Sequence, residues 1–150
     1  MKHFRFIFFL GSFSFVFSFL SGCKPILPQH IPYVPIDKTL YLFDPEFINL
    51  QGVGGSAYVN AGSKGLVVYR VSMHQFNVYE RHCPYYSGDG CGMVSFDDSG
   101  LYLVDNDCFG QGCGTIYSLI NGTVVQGPST FPLVKYNCQF DGGVILRIYN

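Results

Sequence analysis

From residue 37 onward the chain is a succession of short apolar and aromatic runs, each cut off by glycine or aspartate-glycine clusters before it reaches helical length. Residues 47–50, 57–60, 65–71, 75–81, 92–96, 101–104, 115–119, 123–126, 133–140 and 144–149 are such runs, rich in Val, Tyr, Phe and Leu, and they read as strands. Asp97-Asp98-Ser99-Gly100, Asn121-Gly122 and Asp141-Gly142-Gly143 are hairpin turns between neighbouring runs. No segment carries apolar residues at helical spacing for three turns, and Asp44-Pro45-Glu46-Phe47 allows a single turn at most. The expected fold is a small all-β antiparallel sandwich or barrel comprising residues 37–150.

Ahead of it, Lys2, His3 and Arg5 precede an apolar run over residues 6–20, which is too short for a comfortable membrane helix and reads as an export signal. Leu20-Ser21-Gly22-Cys23 resembles a bacterial lipobox, so residues 1–22 are expected to be removed and Cys23 to carry a diacylglycerol. Residues 23–36 contain four prolines and form an extended tether between lipid and domain. The expected location is the bacterial cell envelope, with the membrane held through the lipid on Cys23. Loss of Lys2 and Arg5 leaves seven basic against ten acidic side chains, a balance that argues against nucleic acid as a partner.

The mature domain holds Cys83, Cys91, Cys108 and Cys113 in glycine-rich, loop-like sequence, and Cys138 inside a strand. Thiolates bind iron-sulfur clusters or zinc, and glycines let the backbone wrap a metal. The domain here resembles the Rieske family. Cys83-Pro84-Tyr85 stands where that family has C-x-H, and the segment from Cys108 to Gly114 stands where it has C-x-x-H-G. Tyr117, Gly122, Gly127-Pro128-Ser129-Thr130-Phe131-Pro132-Leu133, Lys135 and Tyr136, and Gly143-Val144-Ile145-Leu146-Arg147-Ile148 as closing strand continue the likeness, which covers roughly residues 50–149. It implies a Rieske-like scaffold with two cysteine-bearing loops at one end. Both ligand histidines are replaced: Tyr85 takes the first position, and Gln111 or Cys113 takes the second, depending on the direction of counting. The pattern is similar to lipoproteins of the family that keep C-P-Y and a set of later cysteines.

Three occupants of the four cysteines follow. A [2Fe-2S] cluster ligated by Cys83, Cys91, Cys108 and Cys113 would make the domain an electron carrier with a redox protein partner. Disulfides would staple the loops of a cluster-free envelope binding or structural module, in keeping with an oxidising exterior. A structural zinc would close the loop tips without redox chemistry. The spacing C-x7-C-x16-C-x4-C matches no standard ferredoxin run. Among the other candidates, Tyr85 and Tyr86 read as loop packing, and His82 as a structural strand histidine. Asp97, Asp98, Asp105 and Asp107 read as turn-forming or solvated loop charge. No nucleophile elbow, zinc-protease motif or phosphate loop is present, so no catalytic residue is assigned.

Overall fold

The computed structural model describes residues 31–85, 92–106 and 112–150. Among the described residues, ten strands form two antiparallel sheets: β1 (Asp37–Tyr41), β2 (Ser56–Val59), β3 (Leu66–Ser72), β4 (Gln75–Glu80), β5 (Ser95–Phe96), β6 (Tyr102–Val104), β7 (Ile116–Ser118), β8 (Val124–Gln126), β9 (Lys135–Phe140) and β10 (Ile145–Tyr149). The larger sheet has the order β1-β10-β9-β4-β3-β2, and the smaller is β5-β6-β7-β8. The smaller sheet is an excursion between β4 and β9. The chain leaves the large sheet at Glu80 and re-enters it beside the same strand, with Val78 opposite Tyr136 and Tyr79 opposite Lys135. The all-β antiparallel expectation holds, and the three anticipated turns connect β5 to β6, β7 to β8 and β9 to β10.

Residues 47–50 are not a strand. Pro45–Gln51 is a 3-10 helix, begun by a proline whose missing N–H costs nothing in a first turn. Phe47 and Leu50, three apart, eclipse on one face of a three-residue turn and are both buried. Strand β1, in a stretch that shows little alternation, lies at the sheet edge against β10, where Leu40 is the single fully covered residue.

Strands β3 and β4 are buried on both faces because side chains alternate along a strand. Leu66, Val68, Phe76 and Val78 join Leu40, Leu50, Leu146 and Ile148 in one core. Val67 and Tyr79 point the other way and pack with Cys83, Val94, Leu103, Tyr117 and Leu133 in a second core beneath the small sheet. Asn77, on that same face, donates from Nδ2 to the Ile120 carbonyl at 2.5 Å and pins the β7–β8 turn to β4. Gly122 in that turn has φ +73°, and a side chain there would strike the Tyr79 ring.

The end of β4 is fixed by a buried carboxylate. Glu80 is fully covered. It accepts hydrogen bonds from the Ser63 amide at 2.9 Å, the Lys64 amide at 3.0 Å, the His82 amide at 3.1 Å and the Tyr136 hydroxyl at 3.0 Å. Burial, and then the adjacent Glu80 charge, push the Tyr136 phenol pKa up, so its proton stays in place as a donor. Replacing Tyr136 with Phe leaves the carboxylate one donor short. The expected cost is about 1.5–3 kcal/mol, the scale of a hydrogen bond to a charged group, read as a lower urea midpoint with an unchanged slope. A midpoint equal to that of the unsubstituted protein would show that Glu80 does not need this donor.

Candidate metal centre

Two loops meet at one end of the second core, and each is closed at its neck by backbone hydrogen bonds. In the first, His82 bridges Met93, the Cys83 amide donates to the Gly92 carbonyl at 2.6 Å, and the Val94 amide donates to the Arg81 carbonyl at 2.7 Å. In the second, between β6 and β7, the Asp105 amide donates to the Thr115 carbonyl and the Gly114 amide donates to the Asp105 carbonyl, each at 3.0 Å. Gly112 passes so close to the Asp105 carbonyl that any side chain there would collide with it. The loop of residues 127–133 underlies the second neck, with the Ser129 amide donating to Thr115 Oγ1 at 3.2 Å.

This arrangement brings Cys83 Sγ and Cys113 Sγ to 3.8 Å. The Tyr117 hydroxyl lies 3.4 Å from Cys83 Sγ, and Thr115 Oγ1 lies 2.9 Å from Cys113 Sγ. Cys113 Sγ in turn donates to Asp105 Oδ2 at 3.0 Å, and the Cys113 amide approaches the same oxygen at 3.5 Å. One ligand atom from each of Cys83, Asp105 and Cys113 lies within 4.8 Å of the other two. Asp105 is fully buried, and its Oδ1 has no hydrogen-bond partner among the described residues.

Desolvation dominates the electrostatics. Burial pushes the Cys83 thiol up to about 12; the Tyr117 hydroxyl opposes this and Asp105 adds to it. Cys113 is raised by burial as well, with Thr115 opposing and Asp105 adding. Tyr117 is raised by burial first and then by Cys83. With no cation present, both thiols therefore keep their protons. A bound metal reverses that preference, because a coordinating thiol gives up its proton. The residues fit a metal: two sulfurs and an oxygen converge, and one buried carboxylate oxygen lacks a donor.

Of the four cysteines expected to act together, Cys83 and Cys113 are brought into contact, whereas Cys91 and Cys108 lie outside the described residues, as do Cys23, Tyr86, Asp107 and Gln111. No disulfide is formed among the described residues. Cys83, Cys113 and Cys138 are free, and 3.8 Å is far beyond the ~2.05 Å of an S–S bond. Cys138 sits apart, donating to the Phe76 carbonyl at 3.4 Å beside the first core. Tyr85 packs partly buried against the second core. His82 is 4% exposed and its Nδ1 meets Ser63 Oγ at 2.9 Å, a structural placement outside the sulfur group.

Asp105 requires a correction. Sequence places it among solvated loop charges, but the second neck folds it inward. Asp97, by contrast, behaves as a turn residue: its carboxylate accepts from the Leu101 and Tyr102 amides and from Ser99 Oγ. Thr115 and Tyr117 supply the hydroxyls beside the sulfurs; sequence marks Tyr117 only as an aromatic of the likeness and Thr115 only as following Cys113-Gly114 at a strand start, and assigns neither to the site.

No protein-family model matches this sequence, and no curated protein matches it. Among solved structures, a chain of a complex of reduced oxygenase and oxidized ferredoxin in carbazole 1,9a-dioxygenase matches with 23% identity and a TM-score of 0.43, covering 64% of this chain and 81% of that one. The assignment of the site stands on the geometry above and takes nothing from that likeness.

The raised Cys83 pKa has a sign for stability. The unfolded thiol titrates near 9.0 and the folded one near 12, so the folded state holds the proton more tightly. The contribution is complete below about pH 9 and is lost as pH rises towards about 12. In reduced, metal-free protein, the stability advantage over the Cys83→Ala variant should therefore narrow over that window, measured by urea unfolding. A constant difference would contradict a buried thiol.

Proposed function

We propose that the chain is a lipid-anchored envelope protein whose Rieske-like β domain holds a [2Fe-2S] cluster between its two cysteine-bearing loops and exchanges electrons with a protein partner. The observation that carries this reading is the 3.8 Å separation of Cys83 Sγ and Cys113 Sγ. Two thiolates on one tetrahedral metal, with bonds of ~2.3 Å, stand about 3.8 Å apart. Cys91 and Cys108, which flank the two necks in sequence, complete the ligand set in this proposal.

The cluster would supply one-electron chemistry, and ligation by thiolates without histidine sets its potential low, towards roughly −400 mV. The chain's own residues do the rest. Tyr117 and Thr115 hydroxyls lie beside the two sulfurs, where hydrogen bonds to the ligands tune the metal. The dry second core, with Tyr79, Leu103 and Leu133, limits water at the base of the site. The tether and the lipid on Cys23 keep the domain at the membrane surface, within reach of a redox protein partner.

Anaerobically isolated protein is expected to be coloured, with about two iron and two acid-labile sulfide per chain. Cys83→Ser and Cys108→Ser should each lose the visible spectrum, and Cys138→Ser should retain it. Colourless protein without sulfide, in which the loop cysteines are oxidised to disulfides, overturns the electron-carrier reading in favour of a stapled module. The anchor is checked by intact mass of membrane-extracted protein. A chain that begins at Cys23 and carries acyl mass is expected, and an unmodified Cys23 removes the anchor.

A further inference from the structure

A cluster held by four thiolates leaves one group of the site without a task, the Asp105 carboxylate. It is fully buried, its Oδ2 lies 3.0 Å from Cys113 Sγ, and its Oδ1 has no donor among the described residues. A buried carboxyl oxygen without a donor is unfavourable unless a cation or further donors compensate. Its position is not an accident of a long side chain. The Asp105 backbone is held at both its N–H and its C=O by the Thr115 and Gly114 bonds that close the neck, so the carboxyl is aimed from a fixed point.

We infer that Cys83, Asp105 and Cys113 form a mononuclear site for a thiophilic divalent cation, of which zinc is the type, and that this site does not require Cys91 or Cys108. The site shares Cys83 and Cys113 with the cluster proposed above, so the two are alternative occupants of the same sulfurs, and it rests on that reading only in needing both cysteines reduced. Two sulfurs and one oxygen suit zinc, cobalt(II) or ferrous iron; calcium and magnesium demand oxygen shells and are excluded. Three protein ligands leave the fourth tetrahedral position to water. On binding, the Cys83 and Cys113 thiols each release a proton to solvent and each sulfur forms one bond to the metal, while Asp105 binds through a carboxylate oxygen. The site then carries one net negative charge. The hydroxyls of Tyr117 and Thr115 remain beside the sulfurs as an outer layer of donors.

The test uses detergent-solubilised full-length protein, reduced and stripped of iron and sulfide, titrated with cobalt(II) alone. One ion per chain is expected, with thiolate-to-cobalt charge-transfer bands and the visible bands of a tetrahedral ion. The double variant Cys91→Ser/Cys108→Ser should bind as the unsubstituted protein does. Asp105→Asn should weaken binding roughly ten- to hundredfold. X-ray absorption of the cobalt-loaded, unsubstituted protein should show a mixed sulfur and oxygen shell, a readout that does not depend on how any variant folds. An all-sulfur shell overturns the inference. So does loss of binding in the double variant, or failure of the unsubstituted protein to take up cobalt. Absence of acid-labile sulfide from the native isolate, with the cobalt result intact, overturns the cluster and spares this site.

Discussion

The burial of β3 and β4 on both faces governs the rest of the molecule. A sheet that faced water on one side would need one core; here the alternation along Leu66-Val67-Val68 and along Phe76, Val78 and Tyr79 feeds two. The first core packs one face of the large sheet, with β1, β2, β9, β10 and the 3-10 helix around it. The second exists because the chain between β4 and β9 folds back as a small sheet and covers Val67 and Tyr79. The candidate metal centre is the end of that second core, and for this reason its sulfurs are desolvated.

Desolvation and anchoring act together on the two loops. Each neck is a short extension of backbone pairing beyond the sheets: Cys83 with Gly92 and Arg81 with Val94 on one side, Asp105 with Thr115 on the other. Ligand atoms that spring from such pairs are positioned by main chain and not by side-chain choice, the condition under which a site keeps its geometry without its metal. Buried Glu80, through the His82 amide, fixes the direction in which the chain enters Cys83. Positioning of the first loop thus depends on a charge that is itself far from the sulfurs in function, though only three residues away in sequence.

Sequence revealed most where burial leaves an unambiguous pattern. Residues 65–71 are a nearly continuous apolar run because both faces of β3 are covered, and the Asp-Asp-Ser-Gly, Asn-Gly and Asp-Gly-Gly turns carry their own chemistry. The 3-10 helix was legible only as the one turn allowed at Asp44-Pro45-Glu46-Phe47; its extension to Gln51 was hidden because Phe47 and Leu50 are too few to separate a period of three from a period of two. Strand β1 was hidden because pairing with β10 is a contact between the two ends of the domain, and a single buried leucine leaves no alternation to detect. At the site, sequence singled out Cys83 and Cys113 from loop-like surroundings, with glycine on both sides of Cys113. Asp105 was not singled out: between Val104 and Asn106, near Asp107, it looks like loop charge, and the backbone bonds to Thr115 and Gly114 that hold it at the buried neck join residues distant in sequence.

Three groups that can carry negative charge share this pocket. A thiolate at Cys113, a second one at Cys83 and a carboxylate at Asp105 would place three negative charges within 4.8 Å. Without metal the protein keeps both thiols protonated, chiefly because burial raises them, with Asp105 adding to the effect. With metal it gains relief from the cation and from the Tyr117 and Thr115 hydroxyls. The more oxidised and more highly charged the metal, the better it matches this anionic shell. The same physics that lowers the affinity of the empty pocket for negative charge should therefore lower the reduction potential of any redox-active metal bound in it.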